Sequence, residues 1–200
     1  MANLDSLRKI VAWIIPSGVT RRRTNYSGFD DPDLLPIYKA LAQNSPYLLF
    51  RGTDSIQYSG DACLLPGIYQ LSWREFEDQF GGGSGKRKLL LEGLRSQVAI
   101  LAESGCKRVY VGGSFASKKK HPGDFEAVYD PEGVDQEHLR RREALLLMER
   151  EEDAAELKRK FGGVVEPLRI YPSLGFSMLE VLQFDSRRDV LKGVVEIVIS

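Results

Sequence analysis

Apolar and polar positions recur with two periods along this chain, and the alternation between them predicts its elements. From Arg87 to Ser104, Leu90, Leu94, Val98, Leu101 and Ala102 return every three to four residues, which is one face of a helix, and Gly105 sits just past its end. Lys107–Val111 and Asp124–Tyr129 change to short β-branched and aromatic runs and read as strands. Upstream, Trp73–Phe80 reads as a short helix capped by Ser72, and Gly81–Gly85 as a flexible break. Downstream, Gln136–Lys160 reads as helical with one break near Arg142; its charges face solvent while Leu145, Met148, Ala155 and Leu157 point inward. Gly162-Gly163 ends it. Val164–Ile170 is a strand in which Pro167 favours an edge or a bulge, Ser177–Phe184 a short helix, and Val194–Ile199 a final strand. This order predicts an α/β (α+β) fold over residues 64–200, with one mixed sheet and helices packed mainly on one side.

The first sixty-three residues have a different texture. Prolines at 16, 32, 36 and 46 and the turn-rich stretch 25–32 keep elements short. A helix at Leu4–Ile15, another around Leu34–Gln43 and a short strand at Tyr47–Arg51 are expected there. Residues 1–63 are therefore read as an N-terminal helical or irregular extension.

Composition narrows the function classes. The chain has 200 residues with 28 basic and 28 acidic side chains, a formal net charge of zero. Neutrality supplies no global attraction for nucleic acid, which argues against DNA as a partner, so polyanion contact has to come from a local patch such as Arg21–Arg23. Two cysteines, Cys63 and Cys106, provide neither a disulfide framework nor a metal spacing, and two histidines, His121 and His138, rule out a His-rich metal site. The apolar run Ile10–Ile15 is far shorter than a membrane span. No membrane partner and a cytoplasmic location are expected.

Chemistry concentrates between Arg108 and Asp130. A strand runs into Gly112-Gly113-Ser114, a basic loop carries Lys118, Lys119, Lys120 and His121, and a second strand carries Asp124 and Glu126. Residues two apart on a strand share a face, so Asp124 and Glu126 pair while Phe125 turns away. Carboxylate oxygens suit a hard cation such as Mg²⁺ (or Mn²⁺), and a glycine turn with exposed N–H groups suits phosphate. Glu166, on the next predicted strand, is the choice for a third carboxylate; Glu196 on the last strand competes. Lys118 and Lys120 stand between turn and carboxylates, where they can meet a triphosphate.

Gly113-Ser114, nine residues (115–123), then Asp124-Phe125-Glu126 resembles the Gly-Ser…Asp-x-Asp signature of the DNA polymerase β nucleotidyltransferase superfamily. The likeness is nearest to the small bacterial minimal nucleotidyltransferases. Leu65-Pro66-Gly67, Lys160-Phe161-Gly162-Gly163 and Lys192-Gly193-Val194 extend it over Leu64–Ser200. The resemblance implies Mg²⁺, a nucleoside triphosphate, and transfer of a nucleoside monophosphate to a protein or RNA acceptor, often within toxin–antitoxin or phage-defence pairs. It also implies that Gly113 and Ser114 hold phosphates and that Asp124 and Glu126 bind metal and act in catalysis; Gly112 is read with the same turn, and Glu166 is the third catalytic and metal carboxylate chosen from its strand, which no motif fixes. The chain departs from the signature at Glu126, where aspartate is the rule. An extra methylene shifts a ligand of a cation that demands near-octahedral geometry. The alternative is therefore a weak or inactive member of the fold, acting as a nucleotide- or partner-binding module.

Overall fold

The computed structural model describes residues 56–60, 62–171, 176–185 and 190–199. The elements expected at Leu4–Ile15, Leu34–Gln43 and Tyr47–Arg51, and the Arg21–Arg23 triplet, lie outside the described residues. A strand that the pattern did not announce comes first, β1 (Ile68–Ser72). Then follow α1 (Trp73–Phe80), α2 (Gly85–Glu103), β2 (Arg108–Gly112), β3 (Phe125–Tyr129), α3 (Gln136–Glu143), a 3₁₀ turn (Ala144–Leu147), α4 (Asp153–Phe161) and β4 (Gly163–Pro167). Two small hairpins, β5 (Ile170–Tyr171) with β6 (Phe176–Ser177) and β7 (Phe184–Asp185) with β8 (Val190–Leu191), flank α5 (Met178–Leu182) before β9 (Val194–Val198).

The main sheet has five strands in the order β1-β9-β2-β3-β4. β1 pairs parallel with β9, and β3 parallel with β4, while β2 is antiparallel to both of its neighbours. Four strands therefore run one way and β2 alone runs against them, as the mixed sheet required. β9 lies inside the sheet, which explains its apolar β-branched composition. β4 forms one edge, where Pro167 is tolerated as its last residue.

Register divides the sheet into two faces. Tyr69, Val195, Ile197, Val109, Val111, Phe125, Ala127, Tyr129 and Val165 share one face and join Phe76, Phe80, Leu90, Leu94, Leu101 and Leu157 in a single core. Helices α1, α2 and α4 cover that face. The rings of Phe80, Phe76, Phe115 and Phe125 follow one another through it at centroid spacings of 5.1, 6.1 and 6.3 Å. Tyr110, Val128, Val194, Glu126, Glu166 and Glu196 face the other way, where the short α5 is the helix in contact with β2 and β3.

Local chemistry sets the helix ends. Ser72 forms a capping box with Glu75. Ser84 caps α2 two residues earlier than the apolar stripe predicts, accepting from the backbone N–H of Arg87 at 3.3 Å. Gly93 is required by packing, because a Cβ there would stand 1.8 Å from the carbonyl oxygen of Phe161 on α4. The long helical stretch breaks at Ala144–Leu147 and turns at Met148, whose φ is +53°. That break rephases α4. Ala155, expected inward, is exposed, and Asp153 is buried instead, accepting from the backbone N–H of Arg150 at 3.0 Å and from its Nε at 2.8 Å.

Two polar residues sit on the inward stripe of α2. Gln97, fully buried, donates from Nε2 to Gly163 O at 3.1 Å and accepts at Oε1 from the N–H of Val165 at 3.0 Å. It thereby satisfies the outer backbone groups of the edge strand β4. Arg87, 5 % exposed, has no carboxylate partner among the described residues and donates to four main-chain carbonyls: Phe80 and Phe115 at 2.8 Å, Ser117 at 2.9 Å and Lys119 at 2.7 Å. Burial lowers its pKa, partly offset by Tyr58. The planar five-donor fork is what lets one side chain reach so many acceptors. Replacing Arg87 by Met leaves those carbonyls without a partner and is expected to cost about 3 kcal/mol in urea unfolding, with Arg87→Lys recovering only part.

Candidate functional site

Sheet direction brings the predicted chemistry to one end. The C-terminus of β2 lies beside the N-termini of β3 and β4, because both run opposite to it. Gly112 is the last residue of β2 and pairs directly with Glu126. It is buried, and a Cβ there would meet Leu182 of α5 at 2.6 Å, so Gly112 belongs to the sheet and the accessible turn is Gly113-Ser114. Gly113 has φ +68°, the left-handed region that glycine adopts without cost. The Glu126 carboxylate lies against it, with Oε2 2.7 Å from the position a Cβ would take. Ser114 starts no helix; its carbonyl accepts from Ser117 Oγ at 2.7 Å, and its own hydroxyl has no partner among the described residues.

Of the three predicted carboxylates, Glu126 and Glu166 come together. Glu126 is opposite Val164 and Val128 opposite Glu166 in the parallel β3–β4 pair, so the two glutamates are diagonal neighbours on the face away from the main helices. Burial pushes the Glu166 carboxyl up to about 7; the Arg169 guanidinium opposes this and the nearby Glu126 charge reinforces it. Asp124 lies just before β3. Its carboxylate is ion-paired to Lys158 in the last turn of α4, and Lys158 is itself well exposed. Glu196 is two strands from Glu126, where it accepts from Tyr110 Oη at 3.4 Å and Gln70 Nε2 at 3.3 Å. Glu166 thus has the position beside Glu126 that Glu196 lacks.

The loop between turn and strand is tied down. Arg87 holds Phe115, Ser117 and Lys119, and Ser84 Oγ donates to Lys120 O at 3.1 Å. Its side chains Lys118, Lys119, Lys120 and His121 are exposed, with Lys118 Nζ 4.3 Å above the ring of Tyr58. Cys106 is a buried apolar residue at the start of β2, its thiol pushed up to about 11 by burial. Trp73 packs on Phe76 with Arg95 over its ring, as a packing anchor.

The donor set suits a hard cation. Among the described residues no three His, Cys, Asp or Glu side chains converge as a metal site. Mg²⁺ is nonetheless commonly held by one or two carboxylates with substrate phosphates completing the shell. The Glu126–Glu166 pair fits that requirement, since two adjacent carboxylates repel one another until a cation stands between them. The sequence pattern did not single out Lys158, Arg169, Tyr58 or Arg87. Arg87 alone left a signal, since it falls in phase with Leu90, Leu94 and Leu101 on an otherwise apolar stripe.

Residues 56–198 match a family of unknown function, DUF6932. Neither a curated protein nor a solved structure matches the chain. No described helix is long and apolar enough to cross a membrane.

Two outcomes test this geometry. Gly113→Ala places a methyl against the Glu126 carboxylate at a left-handed backbone position and is expected to cost about 1 kcal/mol in thermal or urea unfolding. Glu166 titrates near 7 in the fold against 4.5 ordinarily, so the native state binds its proton more tightly. Its contribution to stability is complete below the lower value and lost as pH rises through the upper one. Glu166→Gln is therefore expected to be neutral near pH 4 and stabilising by on the order of 2 kcal/mol near pH 8, read from urea midpoints.

Proposed function

The chain belongs to the DUF6932 family, and from the geometry of its sheet we propose that it is a nucleotidyltransferase acting on a nucleoside triphosphate and a protein or RNA hydroxyl. One observation carries the reading: the Glu126 carboxylate lies between the Gly113 turn and the strand of Glu166, on the sheet face opposite the main helices. A glycine turn next to paired carboxylates is what this transfer needs, because positioning and charge neutralisation supply most of its catalysis.

In this reading the Gly113 and Ser114 backbone amides and the Ser114 hydroxyl hold the terminal phosphates. Lys118 and Lys120 add positive charge from the fixed loop. Glu126 and Glu166 hold the divalent cation, which when bound neutralises charge on the phosphates. The acceptor oxygen bonds to the α-phosphorus. The bond from that phosphorus to its bridging oxygen breaks, pyrophosphate departs with the electron pair, and the hydroxyl proton passes to water. Lys158 turns from Asp124 to the anionic substrate, and Asp124 joins the other carboxylates.

A second reading is favoured by the Asp124–Lys158 ion pair, which occupies one of the three acids with an internal partner. Under it the protein binds nucleotide, or a partner, without chemistry. Incubation with labelled nucleoside triphosphates, Mg²⁺ and RNA or protein acceptors separates the two. Transfer is expected, with Glu126→Gln reducing it at least about 100-fold while leaving thermal unfolding intact. Calorimetric binding of Mg·nucleotide without transfer supports the second reading, and absence of binding at millimolar nucleotide overturns both.

A further inference from the structure

The lysines of the loop and of the first turn of α2 form a patch that no ion pair among the described residues neutralises. Lys86 and Lys88 flank the buried Arg87 and are exposed, as are Lys118, Lys119 and Lys120. The two segments are joined through main-chain contacts, Arg87 to Lys119 O and Ser84 to Lys120 O. Several arginines outside the patch are ion-paired, as Arg95 with Glu77, Arg142 with Glu103 and Arg150 with Asp153. No carboxylate among the described residues forms an ion pair with Lys86, Lys88, Lys118, Lys119 or Lys120. In a chain of zero net charge such a local excess marks a surface for a polyanion.

An aromatic ring stands inside the patch. Tyr58 carries Lys118 over its face and accepts from Gln79 Nε2 at 2.7 Å through its hydroxyl. Lysines interleaved with an aromatic side chain are the elements of single-strand recognition, in which phosphates meet cations and a base stacks on the ring. An acidic peptide has no use for the ring. A duplex needs a wider positive field than one loop and one helical turn provide. The backbone beneath the patch is already fixed by Arg87, so little ordering accompanies binding.

We propose that Lys86, Lys88, Lys118, Lys119, Lys120 and Tyr58 bind a single-stranded RNA. The loop that bears three of them begins at Gly113 and ends at Asp124, so the surface adjoins the carboxylates of the candidate site. As the acceptor surface it rests on the nucleotidyl-transfer reading; as a binding surface it does not, and the test is therefore made without nucleotide or metal.

Anisotropy of a labelled single-stranded RNA of about a dozen nucleotides is measured in EDTA over a potassium chloride series. Saturable binding that weakens with salt is expected. The Lys118→Gln/Lys119→Gln/Lys120→Gln protein should bind roughly tenfold more weakly, with a log–log salt slope shallower by about two. Lys86→Gln/Lys88→Gln should weaken binding without changing the thermal midpoint by more than a degree or two. Tyr58, half-buried at the margin of the core, is tested as Tyr58→Leu well below the variant's own thermal midpoint, where binding should still weaken. Failure to bind, equal affinity for duplex RNA, equal affinity for polyglutamate, or indifference to the lysine substitutions overturns the proposal. RNA binding without transfer activity upholds it and counts against the catalytic reading alone.

Discussion

The guanidinium of Arg87 is the interaction on which the rest of this structure depends. It is buried with no counter-ion among the described residues and held by four main-chain carbonyls drawn from the end of α1 and from the loop after β2. Desolvating a cation is costly, and only dense donation to oriented dipoles makes it tolerable. The arrangement is therefore cooperative. The loop takes its path because the arginine requires its carbonyls, and the arginine stays buried because the loop closes over it. The ring of Phe115 lies 5.1 Å below the guanidinium and links this node to the aromatic row of the core.

From that node the two faces of the sheet acquire different roles. The face packed by α1, α2 and α4 takes the aromatic and aliphatic side chains and supplies stability. The opposite face carries Glu126, Glu166, Glu196 and Tyr110, polar groups that do not belong in a core of this kind. A loop rooted on the first face and ending at the second connects them. Rigidity on one side and charged groups on the other is the division that the proposed nucleotidyl transfer calls for.

Much of the scaffold could be read from residue order. The α2 stripe, the Ser72 cap, the strand around Glu126 and the edge position of Pro167 follow from periodicity and turn chemistry alone. β1 was missed because Ile68-Tyr69-Gln70-Leu71 is too short to show alternation, and its parallel partner β9 lies more than a hundred residues away. Ala155 was misplaced because a helical period was carried across the break at Met148, which no proline or glycine marks. At the site, the shared-face rule paired Asp124 with Glu126, whereas Glu166 was legible only as a carboxylate on the next predicted strand. The capture of Asp124 by Lys158 was not legible, since it joins a strand end to a helix end through tertiary placement only. Arg87 and Gln97 were visible as polar interruptions of an apolar stripe, but the sequence does not say that both serve backbone rather than side chains.

The position of β9 bears on how the chain reaches its native form. That strand fills the gap between β1 and β2, yet it is the last of the described elements to be synthesised. Until it arrives, both neighbours keep an unpaired flank and the apolar face lacks Val195 and Ile197. Closure of the sheet is thus a late, long-range event with a high contact order, and the nascent chain passes through a stage in which two exposed strand edges can template intermolecular pairing. The strand acts as a keystone: the arch on either side is built first and stands only once it drops in.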